Sequence, residues 1–154
     1  FPEIFIRFFQ RNFRRYSFYM YLSFKGVPHK REGDIRILCQ LPAFTAFIMN
    51  LLLLRPLNQV GQWWGTDNKN KKPVQIDIVG TPVEGDEYII GSCKYRNEKI
   101  GLDELELIRE YAQVFGKGKK YYYYIFSKGS FTEGLIQAKN RGEVRLIGLD
   151  DLYA

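Results

Sequence analysis

Histidine and cysteine are almost missing from these 154 residues: there is one His and there are two Cys. His29, alone and next to Pro28, reads as a surface residue, because no second imidazole exists to complete a metal or acid–base pair. Cys39 and Cys93 are too few for a disulfide scaffold, and neither has a ligand neighbour at zinc spacing. A reduced, cytoplasmic protein is therefore expected. A P-loop is also absent. Gly116-Lys117-Gly118-Lys119-Lys120 has the glycines and lysines but not their spacing, so no nucleotide site is expected. Ser92 lies in no Gly-x-Ser-x-Gly elbow, and with the one histidine, His29, far upstream a serine triad is not expected. There is no internal repeat, and no secretory signal, since the first long apolar run begins too far into the chain. The first residue, Phe1, suggests a fragment or a processed chain.

What is present suits one domain with a real core: 45% hydrophobic residues and 16% aromatic ones. The formal charge of +6 points first to polyanions as partners, DNA or RNA before anionic lipid. It is unevenly placed. Residues 1–65 hold nine basic and three acidic side chains, whereas 66–154 hold fourteen of each. The excess belongs to the N-terminal segment.

That segment begins with ten aromatics and four arginines in residues 1–26. Arg7, Arg11, Arg14 and Arg15 recur at helical spacing on one face, with most of Phe1, Phe5, Phe8 and Phe9 on the other. The pattern predicts a core-facing helix with a solvated basic side. The alternatives are a membrane-surface helix and direct nucleic-acid contact by the four arginines. Gly26–Arg36 reads as a turn and linker. Residues 37–54 then run without a charge, at the threshold length for a membrane span. Gln40, Pro42, Thr45 and Asn50 favour instead a buried helix over about 43–54, ended by Pro56.

The remainder alternates strand and helix patterns. Val74–Gly80 and Tyr88–Lys94 read as strands joined through a hairpin connection at Thr81–Glu87. Asp103, with Glu106 three residues on, reads as the capping box of a helix whose stripe is Leu105, Ile108, Ala112 and Phe115. Tyr121–Phe126 is a strand with one buried face rather than a base-stacking platform. Ser130 and Glu133 cap a helix over Phe131–Asn140, and Val144–Ile147 is a last strand. Two antiparallel strands followed by helical crossovers imply a mixed sheet flanked by helices.

Asp77 on one strand and Lys94 at the end of the next can converge on one point of that sheet. Metal-assisted phosphodiester hydrolysis uses such a pair: a carboxylate for a hard divalent cation, a lysine to deprotonate or orient water. A surface ion pair is the plainer reading of the same two residues.

Gly61-Gln62-Trp63-Trp64-Gly65, Ile76-Asp77-Ile78-Val79 and Gly91-Ser92-Cys93-Lys94-Tyr95-Arg96 occur in an order that resembles a known family. It is the C-terminal domain (domain of unknown function 234) of archaeal and bacterial AAA-type ATPases. That domain is similar to the PD-(D/E)xK nucleases, whose core runs α-β-β-β-α-β. The resemblance covers roughly Val60 to Tyr153, implies a first strand near Gln59–Trp64, and matches residues 1–58 only loosely. It implies an α/β, restriction-endonuclease-like fold, a basic and aromatic helical segment at 1–58 packed on it, and a nuclease-like domain at 59–154.

The resemblance places the metal-binding acid at Asp77 and the lysine at Lys94. Ser92 stands where the family has Glu, and Gln75 where many relatives have it. A Mg²⁺ ion would then rest on Asp77, the Cys93 carbonyl and, if a carboxylate has migrated, Glu98 or Glu110. Fewer anionic ligands weaken hard-cation binding. The expected function is thus a regulatory or nucleic-acid-binding module with degraded nuclease activity, partnered by an ATPase module of the same parent protein. The alternatives are an active Mg²⁺-dependent DNA endonuclease and a membrane-associated or protein-interaction domain.

Overall fold

The computed structural model describes residues 57–153. The readings of Arg7, Arg11, Arg14 and Arg15, of His29 and of the apolar run at 37–54 lie outside them. The described chain runs β1 (Leu57–Asp67), β2 (Lys72–Pro82), β3 (Glu87–Lys94), α1 (Leu102–Phe115), β4 (Lys120–Ser127), α2 (Glu133–Asn140), β5 (Arg145–Ile147) and α3 (Leu149–Tyr153). The strands lie in one sheet in chain order, β1-β2-β3-β4-β5. β1–β2 and β2–β3 are antiparallel, while β3–β4 and β4–β5 are parallel. Short turns suffice for the first two connections, and helices make the parallel crossovers, as chain geometry requires. This is the mixed α/β sheet flanked by helices that the sequence predicts.

The apolar stripe of α1 packs on the sheet. Leu105, Ile108 and Ala112 form one buried cluster with Ile90 and Ile125 of the central strands and Leu135 of α2. The tyrosine strand splits as its alternation demands. Tyr121 and Tyr123 pack against that cluster, and Tyr124 and Phe126 stack with ring centroids 6.4 Å apart. Trp63 meets Phe115 edge to face at 5.4 Å, which ties β1 to the end of α1. Among the described residues no helix is long and apolar enough to cross a membrane.

Two helix starts differ from the sequence expectation for one reason. Ile100 forms a parallel bridge to Phe131, with Ile100 N–H donating to Ser130 O at 3.0 Å and Thr132 N–H to Ile100 O at 2.9 Å. The bridge holds both chains extended just before their helices. Accordingly α1 is capped by Gly101 rather than Asp103, and α2 by Thr132 rather than Ser130, neither through a side-chain hydrogen bond. Asp103 falls inside the first turn, where its charge opposes the helix dipole.

Candidate active site

The site begins with an irregularity in β2. Gly61 pairs with Val79 and Trp63 with Ile76, so Gln62 alone faces both Asp77 and Ile78. Such a bulge bends its strand, re-aims a side chain and interrupts pairing. Here it coincides with the end of the β2–β3 pairing. The β2–β3 ladder ends at Ile78↔Gly91, a pair so close that a Cβ on Gly91 would lie 3.0 Å from that of Ile78. Beyond it the Asp77 carboxylate takes over, accepting the Cys93 N–H at 2.8 Å. β3 meanwhile stays paired with β4 as far as Lys94↔Ser127. The strands thus part at Asp77, and a pocket of about 210 Å³ opens there.

α1 forms the opposite wall. Glu104, Leu107, Ile108 and Tyr111 line the pocket, and their i, i+3, i+4, i+7 spacing is one helical face. From the sheet come Gln75, Asp77, Ser92 and Lys94. Glu104 reaches across to the strand. Its Oε1 accepts the Ser92 hydroxyl at 2.6 Å and pairs with Lys94 Nζ at 3.2 Å. Ser92 is 2% exposed and Glu104 8%. A carboxylate so enclosed would cost several kcal/mol if left unpartnered, and the hydroxyl and the ammonium offset that cost. They also hold the side chain in one geometry.

The structure brings Asp77 and Lys94 to one pocket, as the sequence predicts. Neither Glu98 nor Glu110 is there: both are exposed and line none of it. The acid at Lys94 is Glu104, which sequence reasoning missed. Between Asp103 and Glu106 at the start of the helix, Glu104 by itself carries no sequence mark of enclosure. A sign of it did exist in the Glu104-Leu107-Ile108-Tyr111 stripe, which runs beside the core stripe and begins with a carboxylate.

The donors suit one kind of ion. Mg²⁺ keeps several waters and typically needs one or two carboxylates plus substrate oxygens. Asp77 and Glu104 supply the two carboxylates, and the Ser92 hydroxyl is a further hard oxygen. Among the described residues no three His, Cys, Asp or Glu side chains gather into a metal cluster. A divalent ion held here would rest on these two carboxylates and keep most of its water shell. Cys93 is buried and forms no disulfide among the described residues.

No protein-family model matches the chain, and no curated protein matches it. Among solved structures, a repair endonuclease from Pyrococcus abyssi matches with a TM-score of 0.41 and 14% identity. The match covers 68% of this chain and 46% of that one, so the chain spans under half the length of that endonuclease.

Proposed function

We propose that this domain is a metal-dependent phosphodiesterase acting on nucleic acid, of the restriction-endonuclease-like type. In it Glu104 of α1 replaces the strand carboxylate that Ser92 lacks. The observation that carries the reading is the Lys94–Glu104 ion pair in the same pocket as Asp77. A surface ion pair would leave both groups in water; these two are enclosed between a helix and a parting pair of strands.

Asp77 and Glu104 would hold the ion, which when bound supplies charge neutralisation at the phosphoryl oxygens. Lys94 orients the attacking water and offers its charge to the phosphate as negative charge grows there. Glu104 keeps the ammonium at the pocket, and Ser92 fixes Glu104 by hydrogen bond. Leu107 and Tyr111 form an apolar wall that limits the entry of further water.

A second reading, a nucleic-acid-binding or regulatory module without cleavage, is favoured by one detail: Glu104 Oε1 already has two donors. The resemblance in 61–65, 76–79 and 91–96 supports a place for either module in an AAA-type ATPase. The decisive assay is Mg²⁺- or Mn²⁺-dependent cleavage of DNA and RNA by the wild type, Asp77→Asn, Glu104→Gln and Lys94→Met. Metal-dependent cleavage lost in all three variants is expected. Equal background in all four proteins would leave the non-cleaving module.

A further inference from the structure

The β1–β2 hairpin has features that the pocket does not use. Its turn carries Lys69, Lys71 and Lys72 within four residues, all exposed, and none forms an ion pair among the described residues. At the starts of β3 and β4, Lys119 pairs with Asp86 and Lys120 with Glu87, whereas the turn gathers three unpaired lysines within four residues. The one acid of the turn, Asp67, faces inward on its own chain. It accepts the Lys69 N–H at 2.9 Å and the Asn70 side-chain amide at 2.6 Å. These bonds, the Asn70 amide first, lower its pKa and keep the turn shaped.

Lys71 has φ +51°, a conformation that Gly or Asn adopts more cheaply. Turn geometry alone therefore does not call for a lysine there. Guarding the sheet edge does not explain the group either. An edge is protected by charges along its own strand, and β1 has none from Leu57 to Thr66. The positive charge is gathered at the tip.

Trp64 stands on the same ribbon with 52% of its surface exposed. It pairs across the ladder with Gln75, which lines the pocket. From Gln75 to Lys72 is three strand residues, about 10 Å at the usual rise. That distance equals about three steps of a nucleic-acid strand. The ribbon thus runs from the pocket to a basic tip, with an exposed indole at its start.

We infer that the β1–β2 hairpin is a nucleic-acid-binding ribbon, along which the strand leaving the pocket lies. Lys69, Lys71 and Lys72 meet its phosphates, and Trp64 packs against a base or sugar. The inference rests on the phosphodiesterase reading for its direction, from pocket to tip, and on the ribbon itself for its chemistry. Lysine–phosphate contacts release counterions and are sequence-independent, and an indole stacks on any base.

Binding is measured on the full chain by anisotropy of a fluorescein-labelled DNA duplex and of one of its strands alone, in EDTA so that cleavage is silent. Lys69→Gln/Lys71→Gly/Lys72→Gln is expected to lower affinity at least about tenfold near ~0.1 M salt. It should also flatten the log–log salt slope by about 2–3, one contact per lysine. Lys71→Gly alone keeps the turn, since glycine accepts its φ, and should flatten the slope by about one. Trp64→Ala should weaken single-strand binding about fivefold or more with the slope unchanged. Affinity and slope equal to wild type in the lysine variants would overturn the ribbon, and would do so even if the wild type cuts DNA. Ribbon-dependent binding by a wild type that never cuts would uphold the ribbon and remove the phosphodiesterase reading.

Discussion

Lys94 Nζ lies 3.2 Å from Glu104 Oε1, although one residue ends a strand and the other opens the helix that follows. The bridge between Ile100 and Phe131 makes the meeting possible. By fixing where α1 starts, it sets the helical phase, and the phase turns Glu104 toward Ser92 and Lys94 rather than toward water.

Removing either partner is expected to have unequal consequences for stability. Lys94→Met leaves Glu104 enclosed with only the Ser92 hydroxyl and should cost about 1–3 kcal/mol. Glu104→Gln keeps an acceptor for that hydroxyl and should cost less. Urea unfolding of both variants checks the order; a more costly Glu104→Gln would contradict it.

Moving the carboxylate back to the strand provides a stricter test. Ser92→Glu alone places two acids in one enclosed space and should lower stability by about 2 kcal/mol or more. Ser92→Glu/Glu104→Ala should recover much of that loss and retain metal-dependent cleavage. A double variant no better than the single one would show that the two positions do not substitute for each other.

On the proposed function, Asp77 would have two separable roles. Asp77→Asn retains an oxygen acceptor for the Cys93 N–H but removes the charge, so the fold should hold while cleavage falls by at least about a hundredfold. Asp77→Ala also orphans that N–H and should cost a further ~1–2 kcal/mol. Thermal melts together with cleavage rates separate the two effects.

Acid sensitivity should reside partly at Glu143, which does not line the pocket. Arg109, at 2.8 Å, and then Arg141 hold its carboxyl below the ordinary 4.5. A depressed folded-state pKa contributes stability above the unfolded value, and that contribution fades as pH falls through the folded value. Wild type should therefore melt above Glu143→Gln near neutral pH, with the gap closing once pH drops below about 4.5. A gap independent of pH would contradict this.

The fold was largely legible because its signals are local and periodic. VQIDIVG and YIIGSCK carry β-branched alternation, and Leu105, Ile108 and Ala112 mark a core-facing stripe. Asp77 and Lys94 were legible as a pair for the same reason, since each ends or interrupts a readable strand. Glu104 was not. Its enclosure depends on where α1 begins, which a contact between Ile100 and Phe131 decides across thirty residues of chain. The bulge at Asp77 was equally hidden, because alternation in β2 shows no flaw until its partner Gln62 is known. Trp64 and the three turn lysines became meaningful only once the ribbon joined them to the pocket.

The central claim is that Glu104 has taken over the metal-binding role of the strand acid, and Mn²⁺ binding tests it without relying on turnover. Titration calorimetry of the wild type at neutral pH should show one Mn²⁺ site. Glu104→Gln should weaken it at least about tenfold by removing one of two anionic ligands, and Ser92→Glu/Glu104→Ala should restore it. Equal Mn²⁺ affinity in the wild type and Glu104→Gln would contradict the claim.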